Sequence, residues 1–171
     1  VARAVAAERV AQLAEDLATA AAKVGCELDL LVRGDSTLRG HYPAELDAVR
    51  AVLEKRLELR YDGTILCPFF FEGGRLTAQD IHWVAEGEHL LPAAQTEFAR
   101  DATFGYSRSN LKAWVEEKTQ GAVRADDVLS LPLELIRGEG PDGVCARLKE
   151  MRPGRVAIIN AVSYRDIQVF V

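Results

Sequence analysis

Arg155–Gln168 reads RVAIINAVSYRDIQ, and it sets the fold class. Arg155 to Ala161 is a short apolar run with β-branched residues, the pattern of a strand covered on both faces. Ser163, with Asp166 three residues later, forms a capping box, so a helix is predicted to start there. A strand that feeds directly into a helix is a unit of an α/β sheet.

The same alternation is read through the rest of the chain. Strands are predicted at Glu27 to Arg33, in CELDLLVR and ended by Gly34, at Thr64 to Cys67, and in DVLSLPL, Asp127 to Leu133. A helix is predicted from Ala2 to Val24, with Val10, Leu13, Leu17 and Val24 as its apolar stripe and Gly25 as its stop. A second begins near Pro43, with Leu46, Val49, Leu53 and Leu57 on one side and Glu54 and Glu58 on another. Others are predicted from about Ser109 to Thr119, carrying Leu111, Trp114 and Val115, and from Pro141 to Met151, carrying Val144, Leu148 and Met151. Between them, Ile81 to Ala85 and His89 to Leu91 read as a hairpin turning at Glu86-Gly87. The expected architecture is α/β: a three-layer, mainly parallel sheet with flanking helices and an inserted hairpin, in a single domain over residues 1–171. Ligands of such sheets sit outside the carboxyl ends of the strands. The loops opening at Asp35, at Pro68 and near Ala161 are therefore expected to meet at one edge.

The bulk numbers narrow the function. The chain has 171 residues, 49% hydrophobic, with 21 Lys plus Arg against 26 Asp plus Glu, a net charge of -5. This is enough for a real core, and the acidic balance disfavours nucleic-acid or anionic-membrane binding. No apolar run nears the roughly 20 residues of a membrane span, and no signal-peptide pattern is present. Cys26, Cys67 and Cys145 are odd in number and widely spaced. They are expected to be buried, inert, reduced thiols of a cytoplasmic protein. The chain opens on Val1 and closes on DIQVFV, which suggests a piece of a longer protein.

The chemistry concentrates in GDSTLRGH, Gly34 to His41. Asp35 offers a carboxylate, Ser36 and Thr37 two hydroxyls, and Arg39 a planar fork for a carboxylate or phosphate. Gly34 and Gly40 allow a tight turn, and the next helix points its N-terminus at the same place, favouring an anion. The set suits a small hydroxylated acid; the alternative is a solvated strand-to-helix connection. Arg33-Gly34-Asp35 also spells an adhesion tripeptide, but one that closes a predicted buried strand. The second constellation is PFFFEGGRLTAQD, Pro68 to Asp80. Its three Phe read as core and rim packing, and Arg75, after Gly73-Gly74, as a cation at the ligand edge. No phosphate loop occurs: five residues rather than four separate Gly34 from Gly40, and His41 stands where Lys would be needed. The histidines His41, His82 and His89 form no metal pattern.

RGDSTLRGHYPAELDAV resembles the K-x-D-S-T-L-R-G-N signature of the four-carbon acid sugar kinase family, N-terminal domain. CPFFFEGGRLTAQD resembles that family's P-x-F-x-x-x-G-R-x-T segment. QTEFARD matches its T-x-F-A-x-D, and VAIINAVSYRDIQ its last strand and A-V-T-x-x-D-L turn. The resemblance implies an ATP-dependent kinase that phosphorylates the C4 hydroxyl of 3-oxo-tetronate, threonate or erythronate. It carries Asp35, as hydroxyl acceptor or base, and Ser36, Thr37, Arg39, Gly40, Gly74 and Arg75 over as substrate-binding positions. ATP and Mg²⁺ would be bound by a C-terminal domain that is not in this sequence, so the 171 residues are not expected to catalyse alone. Arg33 replaces the family's lysine and His41 its asparagine, and its early D-D-x-T-G-A motif is absent. The expected partners are the sugar acid and the ATP domain, with a homodimer left open. A non-catalytic sugar-acid binding or regulatory module is the competing reading.

Overall fold

The computed structural model describes residues 1–58 and 60–171. They form two compact units, Val1–Tyr61 and Asp62–Val171.

The first unit is a helix pair, α1 (Arg3–Val24) and α2 (Ala44–Arg56). α1 ends as its sequence predicts, with Gly25 left-handed (φ 69°) and its N–H donated to Ala21 O. α2 follows Pro43 directly and buries Val49 and Leu53, as predicted. The stripe assigned to α1 is different. Its buried residues are Ala14, Ala18 and Ala21, while Leu13, Leu17 and Val24 are 62%, 40% and 75% exposed. Ala14 packs with Val49 and Leu53, with Val10, Leu57, Leu28 and Leu30 at the margin. A row of alanines lets a second helix settle against it, so the smallest side chains take the contact.

The strand expected at Glu27 to Arg33 is also corrected: among the described residues no strand spans it. The run uses its alternation differently. Leu28 and Leu30 turn onto the helix pair, whereas Leu31 is 98% and Val32 42% exposed. It is a cover over two helices, held by side chains rather than by a ladder.

Among the described residues, the strands and α-helices of the second unit are, in chain order, β1 (Gly63–Leu66), β2 (Arg75–Ala78), β3 (Ile81–Glu86), β4 (His89–Pro92), α3 (Leu111–Lys118), β5 (Leu129–Leu131), α4 (Leu133–Gly138), α5 (Gly140–Leu148), β6 (Arg155–Ile159) and α6 (Tyr164–Phe170). β1, β6 and β5 form a parallel sheet in that order, and β2, β3 and β4 an antiparallel one. The α/β expectation, parallel sheet plus hairpin, is the observed fold. Val156 to Ile159 are all buried, as a central strand covered on both faces requires. Ala157 and Ile159 pack with Leu131, Leu135, Ile136 and Val144, backed by Leu148, Met151, Val169 and Phe170. Each fully buried aliphatic side chain there contributes roughly 1.5–3 kcal/mol. The capping box at Ser163 and Asp166 is present. Burial raises the Asp166 pKa, but Arg137, the Val162 N–H and Ser163 outweigh it and hold the carboxyl at about 2.

Three details depart from the sequence reading. β2 and α4 were not anticipated. The hairpin turns one residue later, because Glu86 pairs with His89. All three cysteines are exposed, because Cys26 and Cys67 lie beyond the ends of α1 and β1 and Cys145 follows buried Val144 on the open side of α5; the Cys67 thiol is nevertheless raised by desolvation.

The two sheets are joined at a tight turn. Ala78 pairs with Ile81, leaving Gln79 and Asp80 as a two-residue loop with φ 54° and 59°. This is the doubly left-handed geometry of a hairpin turn, usually given to Asn or Gly. Asp80 offsets the strain through its carboxylate. Oδ1 accepts from Ser130 Oγ at 2.5 Å and from Asn160 Nδ2 at 2.8 Å. The Asp80 N–H donates to Asn160 Oδ1 at 2.9 Å, and Lys112 Nζ lies 3.7 Å from Oδ2. Thr77 N–H, from β2, donates to Ala161 O just past β6. Asp80→Ala is expected to cost about 3 kcal/mol in urea unfolding, by orphaning buried partners. Asp80→Gly, which relieves the positive φ, should cost about 1 kcal/mol less, and Lys112→Ala under about 1 kcal/mol.

Candidate functional site

Asp35 to Gly40 folds as a closed loop in the first unit. Thr37 and Leu38 take φ of 58° and 63° and are 5% and 8% exposed. A β-branched residue in this region is strained by about 1–3 kcal/mol. The loop is held shut by the polar residues that the sequence singled out. The Ser36 N–H donates to Asp35 Oδ1 at 2.7 Å. Arg39 Nε donates to Ser36 O and Nη2 to Ser36 Oγ, both at 3.1 Å. Arg39 Nη2 also lies 3.3 Å from Asp35 Oδ2. Gly34 makes the closure possible: a Cβ there would stand 2.9 Å from Arg39 O. Asp35, Ser36 and Arg39 are thus brought together, and Thr37 is turned inward. The helix N-terminus expected to favour an anion already has carboxylates in its first turn, Glu45 and Asp47. Glu45 Oε2 accepts the His41 N–H at 3.0 Å.

The second constellation, with Arg75, lies in the other unit, Asp62–Val171. Phe70 and Arg75 pair across a turn spanning Phe71 to Gly74, with Gly74 N–H donated to Phe71 O at 2.8 Å. Gly74 has φ 66°, and a Cβ there would meet Ala85 Cβ at 2.8 Å. Arg75 Nη1 donates to Gly73 O, and its Cζ stands 4.8 Å from the centre of the Phe98 ring. Around them is a groove of about 500 Å³, lined by Arg75, Gln95, Glu97, Phe98 and Arg100 among others. The loops after β1 and β6 do share an edge. Phe69 and Tyr164 meet edge to face with centroids 5.5 Å apart, and Tyr164 OH donates to Glu72. Phe70 and Phe71 are 42% and 52% exposed: they are rim rather than core.

Over residues 1–171 the chain matches the family described as sugar-binding N-terminal domain. The chain belongs to that family. Two solved structures share its fold. One is a Salmonella typhimurium LT2 protein given a provisional tRNA synthase label, with TM-score 0.56 and 22% identity over 79% of this chain and 29% of that one. The other is the Haemophilus influenzae protein HI1011, of the DUF1537 family, with TM-score 0.53 and 17% identity over 79% of this chain and 29% of that one. The matched region therefore spans less than a third of either structure. No curated protein matches the chain.

In this sugar-binding domain, sequence reasoning passed over His82, Asp80, Asn160 and Phe98. His82 was read only as a hairpin residue, yet it is 0% exposed. Thr77 Oγ1 lies 3.2 Å from its Nδ1, and its Nε2 has no hydrogen-bond partner among the described residues. Burial first, and the nearby Arg75 second, lower its pKa to about 4. A neutral His82 adds no further positive charge beside Arg75.

A histidine depressed in the folded state leaves the unfolded chain to take up the proton first. Its contribution is complete above pH 6.5 and is lost as pH falls from 6.5 towards about 4. The expected loss is of order 2–3 kcal/mol. Stability measured against pH should show that slope, and the His82 ring resonances should not titrate between pH 8 and about 5.

Proposed function

We propose that this chain is the substrate-holding part of an ATP-dependent kinase that phosphorylates the C4 hydroxyl of a four-carbon sugar acid, of the 3-oxo-tetronate, threonate or erythronate class. Membership of a sugar-binding family supports the ligand class. The observation that carries the assignment is the Asp35–Ser36–Arg39 ring. It gathers a carboxylate, a hydroxyl and a guanidinium at one loop, the groups needed for a molecule with one anionic end and several hydroxyls.

The ring is suited to partner exchange. Arg39 and Asp35 have side chains 22% and 55% exposed, so their ion pair contributes at most about 1 kcal/mol. A substrate carboxylate takes the Arg39 fork bidentately, and Asp35 is released to accept a substrate hydroxyl. Arg75, in the second unit, is another guanidinium proposed for a carboxylate of this ligand class. In the transfer, the C4 oxygen forms a bond to the γ-phosphorus while the bond to the β-bridging oxygen breaks and ADP leaves. The hydroxyl proton passes to a base, for which Asp35 is the candidate in this chain. Such transfer depends on positioning and charge stabilisation. Among the described residues no group of three His, Cys, Asp or Glu could hold a metal ion. The proposal assigns ATP, the phosphoryl donor, and Mg²⁺ to a separate C-terminal domain.

In the intact protein, Arg39→Ala is expected to raise KM for threonate or erythronate about 10- to 100-fold, the range for losing a charged, bidentate contact. Near-normal KM and kcat would overturn the clamp. Calorimetric titration of this chain with threonate gives the complementary reading: no binding overturns the sugar-acid class, and binding together with an intact protein that transfers no phosphoryl group favours a non-catalytic sugar-acid module.

A further inference from the structure

T-x-F-A-x-D matches Thr96 to Asp101, a segment to which no role has been given. The structure shows what each residue does. Thr96 is 3% exposed, and its hydroxyl donates to Ala93 O at 2.7 Å. Ala99 is 8% exposed, and its carbonyl accepts the Tyr106 N–H at 3.1 Å. Asp101 Oδ1 accepts the N–H groups of Thr103 and Phe104, both at 2.8 Å. Three of the four residues anchor the segment. The remaining one, Phe98, is only half-buried and sets its ring against the Arg75 guanidinium.

From this we infer that Phe98 is a positioning residue: its ring holds the Arg75 guanidinium as the carboxylate receptor of the groove, whose remaining polar wall reads the ligand's hydroxyls. The inference rests on the sugar-acid reading above. A guanidinium stacked on an aromatic face is oriented and partly desolvated, so less freedom is lost when it binds a planar anion. The Gly73 carbonyl restrains the same group from the Nη1 side. Arg75 cannot be a loose surface cation in this setting, because both its strand and the segment facing it are anchored.

The groove's charge pattern narrows the ligand. Its wall contains Arg75 and Arg100 but also Glu86 and Glu97, with Gln95 between them in kind. Balanced charge is a poor receptor for a bare polyanion such as phosphate. It fits a monoanion that carries hydroxyls, with guanidinium for the carboxylate and carboxylate or carboxamide groups for the O–H donors.

The test is calorimetric titration of this chain and its variants with threonate, with the neutral polyol threitol and with inorganic phosphate, alongside thermal unfolding. Phe98→Leu should weaken threonate binding about tenfold, in the range of a cation–π contact, with Tm retained and threitol binding unchanged. Phe98→Tyr, which keeps the ring, should stay within about twofold of the parent. Phosphate should not compete. If Phe98→Leu does not fold, Phe98→Met fills a similar volume without a π face and takes its place. Unchanged threonate affinity in the folded variant, or an equal loss for threitol, overturns the role of Phe98 while the sugar-acid reading stands. A parent chain that binds no threonate overturns both, and a parent that Arg75→Ala weakens but Phe98→Leu does not isolates the failure to Phe98.

Discussion

The Asp80 carboxylate is the contact on which the second unit turns. It sits in a left-handed two-residue turn that costs about 1–3 kcal/mol per residue, offset through Ser130 in the middle of β5 and Asn160 just past β6. Asn160 is fully buried, and its amide also donates to Leu131 O at 3.1 Å. One side chain therefore joins the antiparallel ribbon to the carboxyl edge of the parallel sheet. Thr77 and Leu111 extend the join with backbone bonds to Ala161 and Asp80. Arg75 stands at the start of the same β2 strand, so the candidate groove inherits the stiffness of the sheet rather than the freedom of a loop.

How much of this was legible depends on whether a feature is local. The end of α1 at Gly25 and the Ser163–Asp166 box are written in neighbouring residues, and both stand where the sequence puts them. β6 is legible because a strand covered on both faces has no polar face to confuse it. The misread features each needed a partner to be known. In α1 every candidate row is apolar, so nothing local decides that Ala14, Ala18 and Ala21 face inward instead of Leu13, Leu17 and Val24. In Glu27 to Arg33 an apolar extended run suits a buried strand or a cover over helices equally well. β2 was missed because Arg75-Leu76-Thr77-Ala78 is too short and mixed to declare itself, and its pairing with β3 supplies what its composition lacks.

The candidate site was legible as a string but not as a geometry. Asp35, Ser36 and Arg39 were read as groups facing a ligand. They face one another, and that ring is what lets buried Thr37 and Leu38 keep a conformation that isolated residues avoid. The motif is thus a folding instruction, beside the binding role proposed for it. The same holds for Thr96 to Asp101, where the polar residues at the ends secure the backbone and leave the central Phe98 to act.

A division of labour follows from these energies. The frame is made of buried, short and mutually satisfied contacts, such as those of Asp80, Asn160 and Thr96, whose loss orphans a partner and costs several kcal/mol. The groups proposed to meet ligand are exposed or half-exposed, in pairs contributing about 1 kcal/mol or less. That contrast is what a binding loop requires. In the first unit, a contact as weak as Arg39 to Asp35 can be exchanged for a substrate carboxylate at little cost, while the Arg39 Nε bond to Ser36 O still closes the loop. A loop held by a buried ion pair would lose its ligand affinity to the work of breaking that pair; a loop on a soft frame would lose it to ordering.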